Sequence, residues 1–244
     1  MNPQRDLDGL TALVTGATSG IGRAAAEKLA DHGAEVIVHG RDAARGGAVV
    51  DAITAAGGKA RFAAVDLSQP AGPADLAGQA GAVDILVNNA GSSWFGPTEE
   101  LELSTFDQLF AADVRAPYFL VAALAPKMAA RGSGSIINVG SMAGQVGMPG
   151  GAAYGATKAA LASMTRSWAA EFSPAGVRVN AVASGPVYTA IQPPEQTEAV
   201  GATTIMNRAA QPSEIAEVIA FLASPKASYI TGAVVAADGG RTAI

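Results

Sequence analysis

The chain of 244 residues contains no cysteine. This absence excludes disulfide bonds, thiolate catalysis and zinc sites built on cysteine, and it fits a reducing compartment. Charged residues make up only 15% of the chain, and no long run of either sign occurs. The formal net charge of −5 provides no basic stripe for neutralising phosphates, so we predict no nucleic-acid partner. We also predict no metal site.

Long apolar segments and targeting signals are scarce as well. Stretches such as Ala116 to Pro126 are too short to span a bilayer. The segment from Met1 to Asp8 is polar and lacks the apolar centre of a signal peptide. We therefore expect a cytoplasmic protein with no membrane partner, either an enzyme or an untargeted binding protein.

The abundant residues favour one large core. Hydrophobic residues make up 49% of the chain, and a chain of this length buries roughly 70–75% of its unfolded surface. No linker, charge block or internal repeat divides the sequence, so we predict a single domain over residues 1–244.

Short apolar runs alternate with longer helical patterns along the chain. The runs are rich in Val and Ile, which is typical of strands covered on both faces. The predicted strands are Thr11–Thr15, Glu35–His39, Ala60–Val65, Ile85–Asn88, Ser135–Val139, Arg178–Val182 and Ala233–Ala236. The predicted helices are Ile21–His32, Ala43–Ala56, Ser104–Ala130, Tyr154–Phe172 and Ser213–Ala223, with a short one within Pro70–Gly81. This alternation predicts an α/β fold with a doubly wound parallel sheet.

One long segment lacks periodicity. Residues 187–208 contain Pro193 and Pro194 and no clear helical pattern. A loop this long in a compact domain is usually a lid or a disordered segment. We therefore assign it as a substrate loop.

The first predicted strand runs into a glycine-rich turn with the spacing G-x-x-x-G-x-G. Glycines there permit a tight turn and close approach of a pyrophosphate to the positive end of the following helix. The alternative is a glycine-rich turn that binds nothing. The turn residues that would bind a dinucleotide are Gly16, Thr18, Ser19, Gly20, Ile21 and Gly22.

The end of the second strand bears on the choice of dinucleotide. NAD sites usually place a carboxylate here for the adenosine ribose, but residues 39 to 41 contain none, and Asp42 comes one position late. Arg41 instead offers donors suited to a 2′-phosphate. We predict NADP(H) over NAD(H), the alternative being that Arg41 is a solvated loop residue.

A tyrosine and a lysine share one face of a predicted helix. Tyr154 and Lys158 are four residues apart. A phenol ordinarily ionises near pH 10, and a nearby ammonium favours the phenolate, so the pair is suited to acid–base catalysis. Taken alone, such pairs are mostly surface neighbours. Ser141 follows an apolar strand at its carboxyl end, where parallel sheets bind ligands, although a lone serine there is usually a cap.

Together these residues resemble the short-chain dehydrogenase/reductase family over nearly the whole chain, in its 3-oxoacyl-carrier-protein reductase-like branch. Ser141, Tyr154 and Lys158 resemble the family's catalytic residues, and the glycine turn resembles its cofactor turn. Further segments that match family motifs are Asp66-Leu67, Asn88-Asn89-Ala90-Gly91, Gly185-Pro186-Val187 with Thr189, Ile230-Thr231-Gly232 and Asp238-Gly239-Gly240.

The resemblance implies a Rossmann-type fold with a seven-stranded parallel sheet. It implies cofactor contacts from Asp66, Leu67, Asn89, Ala90 and Gly91, from Tyr154 and Lys158, and from Gly185, Pro186, Val187 and Thr189. It also implies a homotetramer built from the helix pair Ser104–Ala130 and Tyr154–Phe172 and from the C-terminal strand. The implied activity is hydride transfer between NAD(P)(H) and a ketone or secondary alcohol, with Tyr154 as acid or base.

Two positions depart from the family pattern. Asp113 stands where the family usually has an asparagine that holds a water linked to the lysine. An ionised carboxylate would oppose a phenolate at Tyr154 and favour a charged Lys158. We expect Asp113 still to serve the proton relay. Ser184 stands where proline is common, and this should change only loop stiffness.

The substrate is not specified by these motifs. Pocket residues are expected after the strand ends, and they are largely apolar and uncharged, which favours a neutral or hydrophobic ketone. The candidates are Ser92, Ser93, Trp94 and Phe95, Ala143 to Met148, and Tyr188 to Met206. The alternatives are a 3-oxoacyl-carrier-protein reductase, which needs basic residues such as Arg115, Lys127 or Arg131 near the pocket mouth, and a non-catalytic NAD(P)-binding redox sensor.

Overall fold

The computed structural model describes residues 5–190 and 192–244. Seven parallel strands form one sheet in the order β3-β2-β1-β4-β5-β6-β7. The strands are β1 Thr11–Val14, β2 Glu35–Gly40, β3 Lys59–Ala64, β4 Ile85–Asn88, β5 Gly134–Ser141, β6 Val177–Ser184 and β7 Val234–Ala237. The strand order reverses between β1 and β4, and open parallel sheets bind ligands at such a switch point.

Helices cover both faces of this sheet. The helices are α1 Gly20–Asp31, α2 Ala43–Ala55, α3 Gly72–Ala80, α4 Leu103–Phe110, α5 Ala116–Ala130, α6 Ala152–Phe172, α7 Pro194–Gly201 and α8 Pro212–Ala223. One core lies under α1, α2 and α8, and the other lies under α3, α5 and α6. Neighbouring strand residues such as Leu13 and Val14 belong to opposite cores, because side chains alternate along a strand. The predicted doubly wound, single-domain α/β fold is confirmed.

The predicted long helix from Ser104 to Ala130 contains a different turn at its centre. Residues Ala111–Arg115 form a π-helical turn between α4 and α5. A π turn inserts one residue into the helical ladder, and such turns are frequent at functional sites. Here it carries Asp113.

Two other boundaries were wrong. The predicted loop at residues 187–208 contains helix α7, which begins at Pro194. Proline is favoured at the first position of a helix. Pro194, which the prediction treated as interrupting helical structure, therefore begins α7. Helix α8 begins at Pro212, one residue before the predicted start, and Gln211 caps it through a capping box with Glu214. Residue 191, within the same loop, lies outside the described residues, as do Met1 to Gln4.

The continuous helical run Leu103–Ala130 corrects the expectation that no apolar segment is long enough to cross a membrane. It has 28 residues, its most apolar 18-residue stretch has a mean hydropathy of 1.3, and it meets that requirement by length and composition alone. A core helix passes the same test, and half of its most apolar stretch is buried. Its second part, α5, packs against α3, α6 and β5 in the core.

Candidate active site

A cleft of about 920 Å³ opens where the carboxyl ends of β1, β2, β4, β5 and β6 meet. It brings together the predicted glycine turn, the predicted catalytic tyrosine, lysine and serine, and the three further segments predicted to bind the cofactor. The predicted residues that line it are Gly16, Thr18, Ser19, Gly20, Ile21, Gly22, Arg41, Asp66, Leu67, Asn89, Ala90, Gly91, Ser141, Tyr154, Lys158, Gly185, Pro186, Val187 and Thr189.

The glycine turn leaves no room for side chains. A Cβ at Gly22 would lie 2.3 Å from the carbonyl oxygen of Gly16, and one at Gly16 would lie 2.9 Å from Cα of Ala90. Gly16 also has a φ of +63°, which L side chains rarely adopt. The turn leads into the N-terminus of α1. The free backbone N–H groups at the N-terminus of a helix bind anions such as phosphate. This cradle fits the pyrophosphate of a dinucleotide.

Two side chains hold the turn against the end of β4. The hydroxyl of Thr15 accepts hydrogen bonds from the backbone N–H groups of Asn89 and Ala90, both at 2.9 Å. The side-chain amide of Asn89 donates to the carbonyl oxygens of Thr15 at 2.9 Å and Gly16 at 3.2 Å. Asn89 therefore shapes the turn from beneath.

The end of β2 presents positive charge to the cleft. Arg41 and Arg45 both line it. Asp42 caps helix α2 and pairs with Arg45. Its carboxylate accepts from the backbone N–H of Arg45 at 3.0 Å and from the guanidinium of the same residue at 2.9 Å, and these bonds lower its pKa. A side chain at Gly40 would meet Thr18, whose Cγ2 lies 2.4 Å from the ideal Cβ position. The described residues at this strand end thus offer no available carboxylate to a ribose.

Asp66 is held in a turn after β3. Its carboxylate accepts the backbone N–H of Ser68 at 3.0 Å, and this bond is the largest cause of its lowered pKa. On the opposite wall, Ser184 donates to the carbonyl oxygen of Gly140 at 3.2 Å. A Cβ at Gly185 would lie 2.6 Å from Cα of Asp238, which explains why glycine follows β6.

The tyrosine–lysine pair lies on α6 with a buried carboxylate behind it. Nζ of Lys158 is 3.3 Å from Oδ2 of Asp113 and 5.5 Å from the ring centroid of Tyr154. Lys158 is 7% exposed and Asp113 is 1% exposed. Burial alone would lower the pKa of Lys158, but the charges of Asp113 and Tyr154 raise it above its ordinary value. The ammonium is therefore charged at neutral pH.

Asp113 makes a direct ion pair rather than only the water-mediated link expected of the usual asparagine. Its carboxylate also accepts from the backbone N–H of Ser92 at 2.9 Å and from the hydroxyl of Thr157 at 3.1 Å. A Cβ at Gly91 would lie 2.5 Å from Oδ1 of Asp113 and 3.4 Å from Nζ of Lys158. Glycine at position 91 is what permits this close approach.

Ser141 lies at the end of β5, in the same cleft as Tyr154. Its hydroxyl accepts from the backbone N–H of Ala143 at 3.2 Å and caps the short 3₁₀ turn Met142–Gly144. The capping alternative is therefore realised, and Ser141 also lines the cleft. Its O–H remains a donor for a substrate oxygen, because the cap uses only an acceptor lone pair.

The substrate end of the cleft was predicted in part. Ser92, Ser93 and Phe95 line it as expected, and the ring centroids of Phe95 and Tyr154 are 5.3 Å apart. Trp94 is not among the lining residues; it packs over the position of Gly96. Sequence reasoning missed His39, Arg45, Gln108, Ala112, Met142 and Pro149, which also line the cleft.

These features define a dinucleotide-binding protein of the Rossmann type with acid–base side chains in the same cleft. The family model described as enoyl-(acyl carrier protein) reductase matches residues 16–242. A cis-4-hydroxycyclohexanecarboxylate dehydrogenase from Sinomonas cyclohexanicum is 38% identical over 242 residues, 96% of each chain.

Solved structures agree with the family match. A short-chain dehydrogenase/reductase family protein has a TM-score of 0.91 and 50% identity, covering 98% of this chain and 100% of its own. A 3-oxoacyl-(acyl-carrier-protein) reductase from Agrobacterium tumefaciens C58, solved with NADP bound, has a TM-score of 0.92 and 36% identity, covering 97% and 96%. The chain belongs to the short-chain dehydrogenase/reductase family. It is an NAD(P)-dependent oxidoreductase that acts between an alcohol and a carbonyl compound.

Proposed function

We propose that Tyr154 is the acid–base residue of this oxidoreductase and that Ser141 and Lys158 act with it. When bound, the nicotinamide ring supplies or accepts the hydride. In the reducing direction the hydroxyls of Ser141 and Tyr154 hold the substrate oxygen, and Tyr154 gives its proton to that oxygen as negative charge develops there. The supporting observation is that the tyrosine, lysine and serine line one cleft with the glycine turn.

Lys158 contributes a permanent charge to this step. Its ammonium lies over the ring of Tyr154 and is held by Asp113. A positive charge beside a phenol favours the phenolate, so Lys158 assists proton transfer in both directions. By family resemblance it also binds the nicotinamide ribose.

Replacing Tyr154 by phenylalanine tests the proposal. Tyr154→Phe should lower kcat by about 10³-fold or more while NADPH still binds, because a proton donor acts on the transition state rather than on cofactor binding. Steady-state kinetics and fluorescence titration with NADPH measure the two effects. Tyr229→Phe is the matched control, since Tyr229 is fully exposed. A Tyr154→Phe enzyme with native kcat would contradict the assignment.

We also propose a preference for NADP(H) over NAD(H). Arg41 and Arg45 line the cleft after β2, while Asp42 caps α2 and pairs with the guanidinium of Arg45 at 2.9 Å. A bound 2′-phosphate would therefore meet the guanidinium of Arg41 there. The NADP-bound relative binds the cofactor that carries this phosphate.

The preference is measured as the ratio of kcat/KM with NADPH to that with NADH. We expect a ratio of at least about tenfold, and we expect Arg41→Ala to lower it mainly by raising KM for NADPH, because one charge-assisted contact contributes roughly 1.5–3 kcal/mol. Lys59→Ala, at the exposed start of β3, should leave the ratio unchanged. A tenfold preference for NADH would contradict the proposal.

The substrate we propose is an uncharged ketone or its secondary alcohol. The described residues near Tyr154 that line the cleft are apolar or neutral, except Lys158, which is paired with Asp113. The neutral polar side chains that line the cleft include the amides of Gln108, Gln192 and Gln196 and the hydroxyls of Ser92 and Ser93. Among the described lining residues, the guanidiniums are those of Arg41 and Arg45 after β2, so a substrate carboxylate beside Tyr154 would find none. Turnover of cyclic and linear ketones should therefore exceed turnover of keto acids of matched size.

A carrier-protein substrate is less well supported. Arg115 donates to the carbonyl oxygen of Ser68, and Arg131 donates to that of Val83, so these guanidiniums are committed to the fold. The net charge of −5 also disfavours an acidic partner. The alternative of a non-catalytic sensor is not favoured by the comparison with a named dehydrogenase.

We propose in addition that the protein is a cytoplasmic homotetramer.

A further inference from the structure

His39 contacts the glycine turn from the end of β2. It is the penultimate residue of β2 and is only 3% exposed. Its Nδ1 accepts the backbone N–H of Gly16 at 3.2 Å, although the two residues are 23 positions apart. Its Nε2 lies 3.1 Å from the carbonyl oxygen of Val65. The ring therefore joins the cofactor turn to the segment after β3.

These two contacts specify the protonation state of the ring. Nδ1 faces an N–H donor and must be unprotonated, whereas Nε2 faces a carbonyl oxygen and must carry the proton. Only the neutral imidazole with its proton on Nε2 satisfies both. The carbonyl oxygen of His39 also accepts the backbone N–H of Ala17 at 2.8 Å, which adds a second link to the turn.

Gly16 is thus held at both of its polar groups. The ring of His39 accepts a hydrogen bond from its N–H, and the side-chain amide of Asn89 donates one to its carbonyl oxygen, each at 3.2 Å. A glycine can adopt many backbone conformations, so these two bonds favour the one with a φ of +63° over the others. Because the turn is already ordered before the cofactor binds, the free energy of binding is not reduced by the cost of ordering it.

We propose that neutral His39 is a positioning residue that holds the glycine turn in the form that binds the dinucleotide. This inference rests on the proposed role of that turn in cofactor binding. Protonation of Nδ1 would place a second N–H against Gly16 and release the turn. Acid should therefore weaken cofactor binding through His39.

The surroundings keep the ring neutral at ordinary pH. Burial lowers the pKa of His39, and the charge of Arg41 lowers it further, while the bond to Val65 and the charge of Asp66 oppose this. Arg41 follows β2 and Asp66 follows β3, and Arg45 of α2 also lines the cleft. The loss of binding should accordingly begin below pH 6.5.

Two variants separate the hydrogen bonds of the ring. His39→Asn keeps an acceptor near the position of Nδ1 and cannot titrate, whereas His39→Gln reaches toward Val65 and loses the acceptor for Gly16. At pH 7.5 we expect NADH affinity close to native for the asparagine variant and about tenfold weaker for the glutamine variant, the equivalent of one lost hydrogen bond. The kcat at saturating cofactor should stay within about threefold of native in both, since neither contact reaches the reacting atoms.

The pH dependence gives an independent readout. NADH is the probe because it lacks the 2′-phosphate, whose second proton titrates near pH 6. Between pH 7.5 and pH 5, native protein should lose NADH affinity and His39→Asn should lose much less, with thermal midpoints confirming that both stay folded. Equal affinity of the glutamine and asparagine variants, or equal acid loss in native and asparagine proteins, would overturn the inference. Absence of any NADH or NADPH binding by native protein would instead refute the proposed function, and the inference with it.

Discussion

At Lys158 two opposite influences act on one ammonium. Its burial disfavours the charge, and the carboxylate of Asp113 at 3.3 Å restores it. The same carboxylate cancels part of the positive field that the ammonium exerts on Tyr154. Because Asp113 is buried and accepts from Ser92 and Thr157, the family departure at this position is built into the fold rather than tolerated at its surface.

Replacing this carboxylate by an amide should change the pH dependence of the reaction. Asp113→Asn leaves the ammonium uncompensated, so the phenolate forms more readily and the pH of half-maximal alcohol oxidation should fall by about one unit. The raised pKa of Lys158 should fall in the same variant. Rate profiles from pH 6 to pH 10 measure the effect.

Asp107→Asn provides the control, because Asp107 is an exposed carboxylate on α4. Its pH profile should match the native one. An Asp113→Asn profile that also matches the native one would show that the carboxylate has no special influence on proton transfer. A lower rate with no shift would indicate a positional effect alone.

At the scale of elements, helix α8 is stabilised at its C-terminus by a side chain from β6. Arg178 donates to the carbonyl oxygens of Leu222 at 2.7 Å, Ala223 at 3.3 Å and Ser224 at 3.2 Å. Burial lowers its pKa, yet the group stays charged at any ordinary pH. A positive charge at this end also complements the helix dipole. Helix α8 in turn packs against α1, which carries the glycine turn at its N-terminus.

Removing this cap should destabilise the fold without touching the chemistry. Arg178→Gln should lower the free energy of unfolding by about 1–3 kcal/mol, because three carbonyl groups lose a charged donor. For a chain of this size each kcal/mol corresponds to roughly 2–4 °C in Tm. Calorimetry measures the shift, and Lys59→Gln should produce almost none. An unchanged Tm in Arg178→Gln would contradict the capping role.

At the scale of the whole molecule, large apolar side chains remain exposed on elements that the resemblance assigns to subunit contacts. Tyr118 and Phe119 of α5 are 48% and 51% exposed, and their ring centroids are 5.3 Å apart. Contiguous apolar surface of this kind commonly marks an interface.

The proposed homotetramer predicts a solution mass about four times the chain mass of 24.2 kDa. Light scattering after size exclusion measures this mass. A double variant, Tyr118→Asp with Phe119→Asp, should lower it, since charges in an apolar interface remain unpaired. Thr54→Asp on the outer side of α2 should leave it unchanged. A native protein that elutes as a monomer would contradict the proposal.

Local chemistry in the sequence was enough to predict much of this protein. Val- and Ile-rich runs predict the strands because a buried parallel strand has few other compositions available. Spacing alone places the glycines at the first turn and Tyr154 beside Lys158 on one helix. The helix at Pro194 was missed because proline at a first helical position and proline as a breaker have the same local signature.

Tertiary structure decided the contacts between distant residues. The bond from Gly16 to His39 depends on β2 lying beside β1, and the pair of Asp113 with Lys158 depends on α6 packing against the π-helical turn. The need for glycine at position 91 is visible only once Asp113 and Lys158 are both in place. Periodicity in the sequence indicates which face of an element is buried. Which residue packs against that face depends on the order of the strands and on how the helices pack on the sheet.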